Sequence, residues 1–338
     1  MIRSKKRRIG EQRLSPEIQQ QRVEIDSPCD PAEYRVLRRL VENEENYLAV
    51  SFGGGSVPAH AGSAAFARIL DELGVRPHVR EIWGTSAGAI VGAAWANGCN
   101  KEKMLEVLLS LNYPGVVDFL RWDAIVKGLF GYLIKKRLPD GFVGVRNFRE
   151  GLESGITART FEELEVPFKA LACTDDGLSR KVIFSKGPLI EALMASMCLP
   201  GIMHPVDDWN GDTCGYMDGG VVEKTPLLSI MEDHARQLRS SPLLVLCTHY
   251  TYVRQPGRVQ GFLMRFLNSY MHLMDEVWES QRTKAIATPN CKIVILDPHL
   301  TKNGEFTFDL ILEHYLRARQ QFKTQLSNAG LAVRFHAR

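Results

Sequence analysis

The sequence predicts an α/β fold built on a parallel sheet, and three stretches carry the prediction. Asn46-Tyr-Leu-Ala-Val-Ser-Phe52 is an apolar strand that runs straight into Gly53, Gly54 and Gly55. Glu81 to Gly98 reads as a short strand, a sharp turn at Ser86, and a helix of small residues. Leu243 to Thr248 is a near-continuous apolar run, as expected of a parallel strand buried on both faces. The chain has 338 residues, 45% of them hydrophobic and 24% charged, an ordinary globular balance. That length allows one large domain with a substantial core, plus appendages.

In chain order, residues 1–45 read as a separate region. Arg3, Lys5, Lys6, Arg7 and Arg8 form a basic cluster, and the polar stretch to Asp30 has few apolar anchors. The expectation is a largely disordered arm with a short helix near its end, where Tyr34, Val36, Leu37, Leu40 and Val41 share a face. The basic cluster reads either as an attraction for anionic lipid head groups or, more plainly, as a solvated tail. A main domain is expected over 46–330 and a tail over 331–338.

Between the first two strands, Phe66, Ile69, Leu70 and Leu73 mark one face of a helix over 62–73. A strand–helix–strand unit of this length is a right-handed crossover that sets both following loops at one edge of the sheet. In the helix after Ser86, Gly92, Ala93, Ala94 and Ala96 permit close packing on the sheet, and Gly98 suits the C-terminal cap. Residues 104–111 read as a further helix. Trp122, Ile125, Val126, Leu129, Phe130, Leu133 and Ile134 then fall at i, i+3, i+4, i+7, i+8, i+11 and i+12. With Lys127, Lys135, Lys136 and Arg137 on other faces, this stripe reads as a sheet-covering helix or as a membrane-lying lid.

Downstream, residues 168–173 and 181–184 read as strands around an Asp-Asp-Gly turn, and 188–197 as a helix ending before Pro200-Gly201. Residues 262–278 form an amphipathic helix with Leu263, Phe266, Leu267, Tyr270, Met271, Met274 and Trp278 on one face. Its methionines suit core packing or an acyl-chain pocket. Residues 292–296 give a last strand and 308–326 a last helix.

Chemistry concentrates at three glycine-bearing turns. Gly84-Thr-Ser-Ala-Gly88 spells G-x-S-x-G, in which Gly84 and Gly88 remove the clashes around a strained Ser86 and lift its hydroxyl clear of the sheet. The pattern is weak by itself, and a capping serine in a glycine-containing turn is the plain alternative. The triple glycine exposes consecutive amides that can bind a phosphate or the oxyanion of an acyl-transfer intermediate. Tyr216-Met-Asp-Gly-Gly-Val221 places Asp218 before Gly219 and Gly220, by itself an ordinary turn.

Taken together, the triple glycine, Gly-Thr-Ser-Ala-Gly and Asp-Gly-Gly, in this order and spacing, resemble the patatin-like phospholipase family. Phe161-Glu-Glu-Leu-Glu-Val-Pro-Phe168, Leu171-Ala-Cys-Thr-Asp-Asp-Gly177, Ala195-Ser-Met-Cys-Leu-Pro-Gly201 and Ile295-Leu-Asp-Pro298 look like that family's intervening segments. The resemblance spans roughly residues 46–330 and is most specific over 46–228. It implies a three-layer sandwich with a mainly parallel central sheet flanked by helices. It also implies lipid acyl hydrolysis, of phospholipase A, lysophospholipase or esterase type, through a Ser–Asp dyad. Carried over residue by residue, Ser86 is the nucleophile, Asp218 the general base, and Gly53, Gly54 and Gly55 the oxyanion hole. The family usually follows its glycines with a small residue, a Lys or Arg, and another glycine, whereas this chain has Ser56-Val57-Pro58.

Two rival readings stay open at this stage. One is a Ser–Asp–His triad with His299, which follows Asp218 in the right chain order. The other keeps the fold as a lipid-binding pseudoenzyme, or as an acyltransferase using the same residues. A dinucleotide site is disfavoured because the glycines lack G-x-G-x-x-G spacing.

Composition narrows the setting further. A net charge of +3 gives no ground for a nucleic-acid partner; the partner that the resemblance implies is a lipid or other acyl ester, and the basic N-terminal cluster adds peripheral contact with anionic membrane as an expectation. Seven scattered cysteines without C-x-x-C spacing fit reduced thiols in a cytoplasmic protein, and no zinc site or disulfide framework is expected. No apolar run reaches membrane-spanning length, and no apolar core follows the basic N-terminus as in a signal peptide. The chemistry requires no metal or organic cofactor.

Overall fold

The computed structural model describes residues 15–100, 103–104, 146–203, 206, 215–237, 239–251, 262–300 and 310–331. The basic amphipathic stripe of 122–137 and most of the helix expected over 104–111 lie outside them.

Among the described residues, seven strands form one sheet: β1 Tyr47–Phe52, β2 Glu81–Thr85, β3 Phe168–Thr174, β4 Lys181–Phe184, β5 Tyr216–Asp218, β6 Leu243–Thr248 and β7 Cys291–Leu296. Their order is β4-β3-β2-β1-β6-β7, with β5 also paired to β3. β7, β6, β1, β2 and β3 run parallel, while β4 and β5 are antiparallel to β3. The sheet is therefore mainly parallel, and alternate residues of its strands enter different cores. Leu48, Val50 and Phe52 of β1 face one core, whereas Ala49 faces the other.

The first core is closed by helices α3 Ser56–Glu72, α4 Ala87–Ala96, α6 Leu189–Ser196 and α9 Ile311–Leu326. α5, Arg146–Gly155, joins the same side through Phe148 and Leu152. The second core packs Trp83, Leu171 and Val245 against α7 Leu227–Arg236 and α8 Phe262–Ile286, through Leu227, Ile230 and Trp278. The molecule is thus a three-layer α/β/α sandwich. No disulfide joins the six described cysteines, all of them buried. Among the described residues no helix is long and apolar enough to cross a membrane.

Small residues set the spacing around α4. A Cβ at Gly92 would stand 3.0 Å from Phe168 Cε2 and 3.2 Å from Phe52 Cδ2, so the helix lies close on the sheet. Helix α3 starts earlier than its apolar face predicts, at Ser56 directly after the triple glycine. Pro58 falls in its first turn, where a missing N–H costs no helical hydrogen bond.

The N-terminal region differs from the expected arm. Residues 16–26, read as polar chain, form helix α1 (Pro16–Asp26), and Arg35–Val41 form α2. Its apolar anchors are few, but Ile18 and Ile25, on one face, are both buried. The rest of its attachment is polar. Arg319 of α9, with a fully buried side chain, donates to the carbonyls of Ile25 (3.0 Å) and Ser27 (2.7 Å) and to both oxygens of Glu72 (2.9 and 2.8 Å). Arg68 bridges Glu72, Asp26 and the Tyr315 hydroxyl. Polar anchoring of this kind has no hydrophobic period, so a helix held by it does not show in an apolar pattern.

Replacing Arg319 with Met leaves the Ile25 and Ser27 carbonyls to Lys323 alone and takes a paired cation from the buried Glu72 carboxylate. A loss of about 3 kcal/mol is expected in chemical denaturation, with faster proteolysis in residues 15–34. An Arg319→Met variant as stable and as protease-resistant as wild type would show that α1 is held by its two isoleucines alone.

Candidate active site

Strand register brings the three glycine-bearing turns to one rim. Phe52 of β1 pairs with Gly84 of β2 and with Thr248 of β6, so the chain following each strand leaves the sheet at the same level. On β3, Leu171 is the partner of Thr85, and the next residue, Ala172, is the partner of Asp218. β4 occupies the other edge of β3, so β5 continues the line of β2 and sets Asp218 just beyond Thr85.

Ser86 links β2 to α4 with φ 54° and ψ −127°, a conformation that costs a non-glycine residue of order 1–3 kcal/mol. Local contacts hold it there. Its amide donates to Ser196 Oγ at 2.9 Å, and its carbonyl accepts from the Ala89 amide at 2.9 Å. Gly84 and Gly88 leave no room for a side chain: a Cβ would stand 2.5 Å from Ala89 Cα at the first and 2.3 Å from the Phe52 carbonyl oxygen at the second. The close approach at Gly88 presses the start of α4 onto the end of β1, beside the triple glycine.

Asp218 is 1% exposed. Its carboxylate accepts a hydrogen bond from the Gly220 amide at 2.7 Å, and the Ser86 hydroxyl lies close enough to help stabilise its charge. Burial raises its pKa from 3.8 to about 6, against the lowering pull of these two donors. Gly219 lies too close to the Leu171 carbonyl oxygen for a side chain, since a Cβ there would stand 2.4 Å from it. From α8, Met274 covers Gly220, and Tyr270 lies within electrostatic reach of Asp218.

The glycine loop adjoins the serine: a Cβ on Gly54 would stand 3.1 Å from Ser86 Cβ. Two of its three amides, all expected to form an oxyanion hole, have acceptors inside the protein. Gly53 donates to Thr248 Oγ1 at 3.2 Å, and Gly54 to the Lys224 carbonyl at 2.8 Å. These bonds fix the loop rather than face outward. Among the described residues, Gly55 and Ala87 keep amides with no internal acceptor, at the N-terminal ends of α3 and α4.

Sequence reasoning missed Thr248, Lys224 and Ser196 as the groups that fix these turns. Ser196 lies inside a segment already noted for its resemblance, but no spacing rule points to Lys224 or Thr248.

His299 is exposed at the end of β7, with its amide bonded to Gln321. β7 is three strands from β2, about 14 Å at the usual strand spacing, and on the side away from β5. His60 and His249 are buried histidines, and burial lowers the pKa of the first to about 4 and holds the second far below the usual imidazole range.

The family model described as patatin-like phospholipase matches residues 49–231. An uncharacterized NTE family protein of Mycobacterium tuberculosis is 28% identical over 185 residues, 54% of this chain and 44% of its own length, and its Mycobacterium bovis counterpart matches equally. The chain therefore spans less than half the length of these relatives. Among solved structures, VipD from Legionella pneumophila aligns with a TM-score of 0.46 at 13% identity, over 83% of this chain and 66% of VipD. ExoU of Pseudomonas aeruginosa, solved with SpcU, aligns with a TM-score of 0.38 at 14% identity, over 83% of this chain and 52% of that one. Since the family model covers more than half of the chain, including all three glycine-bearing turns, the chain belongs to the patatin-like phospholipase family.

Proposed function

We propose that this chain hydrolyses carboxylic esters of lipids, with Ser86 as nucleophile and Asp218 as its base. The observation that carries the reading is the Ser86 hydroxyl, on a strained strand–helix turn, set beside the buried Asp218 carboxylate and a glycine loop at the sheet rim. Asp218 takes the Ser86 proton as Oγ attacks the ester carbonyl. The tetrahedral oxyanion forms near the Gly55 and Ala87 amides, where the positive ends of α3 and α4 converge. Collapse breaks the ester bond, and the leaving alcohol takes the proton from Asp218. Water then gives its proton to Asp218 and attacks the acyl-enzyme, and the second collapse returns the proton to Ser86 and frees the fatty acid.

A carboxylate is a weak base toward an alcohol. Burial of Asp218 strengthens it, and the short path to Ser86 removes the need for a relay through histidine. The exposed position of His299, three strands from Ser86, favours the two-residue reading over a triad.

A fluorophosphonate probe is expected to modify Ser86 of wild type and to leave Ser86→Ala unmodified. Phospholipid or monoacyl ester substrates should release free fatty acid only with wild type. Modification at another residue, or unchanged hydrolysis by Ser86→Ala, would end this reading. His299→Ala should keep hydrolysis within a few-fold of wild type, and a collapse there would restore the triad.

A further inference from the structure

The loop from Gly53 to Pro58 carries no charged side chain of its own. A cation nonetheless lies beneath it. The Lys224 side chain is fully buried, and its Cε stands 3.8 Å from where a Cβ on Gly55 would be. Its ammonium donates to the Tyr250 carbonyl and to Asp275 Oδ1, each at 2.5 Å. Its own carbonyl accepts the Gly54 amide at 2.8 Å.

The flanking residues join the same frame. The Glu223 carbonyl accepts from Thr85 Oγ1 at 3.2 Å, next to the nucleophile, and Thr225 Oγ1 donates to the Thr248 carbonyl at 3.4 Å. One short segment thus ties the Asp218 turn, through the Glu223 amide on the Gly219 carbonyl, the Ser86 turn, the glycine loop and α8 together, and Lys224 is the member that reaches the glycine loop and α8 directly.

Stability alone does not account for a cation here. Taking an ammonium and a carboxylate out of water costs several kcal/mol, and a well-packed apolar pair of similar volume is often as stable or more so. What an apolar pair cannot supply is a positive charge under a loop whose one amide without an internal acceptor among the described residues, that of Gly55, faces a developing oxyanion.

Resting on the esterase reading above, we propose that Lys224 is a positioning residue for the reaction. It sets the Gly53–Gly55 loop against Ser86 and places positive charge beneath the Gly55 amide, without touching substrate itself.

The test compares wild type, Lys224→Met/Asp275→Leu and Lys224→Gln. The double variant removes both charges and leaves no charge unpaired, although the Tyr250 carbonyl loses its donor, and the single one keeps a neutral donor for Tyr250 and Asp275. Each is followed by its Tm, by kcat and KM on a soluble ester, and by the rate of fluorophosphonate modification of Ser86. Folded variants are expected to lose at least about tenfold in kcat and in modification rate while KM stays within about twofold, the pattern of an interaction made in the transition state.

A folded double variant with kcat and modification rate near wild type would overturn the proposal, as would a change confined to KM. Failure of both variants to fold would overturn it too, because Lys224 would then serve the fold alone. Wild type that does not take the probe at Ser86 defeats the esterase reading and this proposal together. Equal modification of wild type and variants defeats only the assignment of Lys224.

Discussion

Asp218→Asn is expected to lower kcat and kcat/KM for ester hydrolysis by about a thousandfold or more while leaving the protein folded and more stable. The shape of the site survives the change, since an Asn Oδ1 can still accept from the Gly220 amide that now holds Asp218 Oδ1. What disappears is the proton acceptor facing the Ser86 hydroxyl.

The opposite effect on stability follows from burial. Asp218 is held at about 6 instead of 3.8, so the fold binds the protonated carboxyl more tightly than the unfolded chain does. The neutral form's advantage is fully present below about pH 4 and is lost as pH rises to about 6. Above that, ionised Asp218 costs the fold on the order of 3 kcal/mol. Asparagine stays neutral throughout, so its Tm advantage should be absent near pH 4 and at its largest above pH 6. Turnover within about tenfold of wild type would remove Asp218 as the base. A variant less stable than wild type at pH 7 would make its carboxylate a structural group.

Much of this site was legible in the sequence, for a physical reason. The strands that position it are buried on both faces, so β6 reads as an uninterrupted apolar run and takes the bounds expected of it, Leu243–Thr248. The turns need glycine because backbone passes within contact distance, as Gly88 does against Phe52, and glycine in a fixed spacing is visible without a structure.

The fixing groups were hidden because they come from elsewhere in the chain. Thr248, Lys224 and Ser196 meet the loops through single polar atoms, from segments far away in sequence. The antiparallel pairing of β5 on β3 was hidden for a related reason. Three residues give too short a period to read, yet that pairing is what carries Asp218 to Ser86.

The second large effect is on pH dependence. The base must be ionised in the free enzyme, so kcat/KM should rise with pH through a midpoint near 6 and then level. Below the midpoint it should fall about tenfold per pH unit, which places the rate at pH 4 about a hundredfold under its plateau. The direction follows from the role: a carboxylate pushed up by burial loses its proton later than an ordinary one, and only the deprotonated form can accept from Ser86.

Two of the buried histidines, His249 and His60, do not imitate this profile, since burial holds His249 far below the usual imidazole range and lowers His60 to about 4. The rate of fluorophosphonate modification of Ser86 over pH 4–9 reads the profile directly, with circular dichroism at each pH to show that the protein stays folded. A midpoint near 4 would mean that Asp218 is solvated and the rim more open than its 1% exposure indicates. A midpoint near 7 that vanishes in His299→Ala would transfer the base to that histidine. A midpoint near 6 that persists in His299→Ala and is lost with Asp218→Asn assigns proton transfer to the carboxylate at the end of β5.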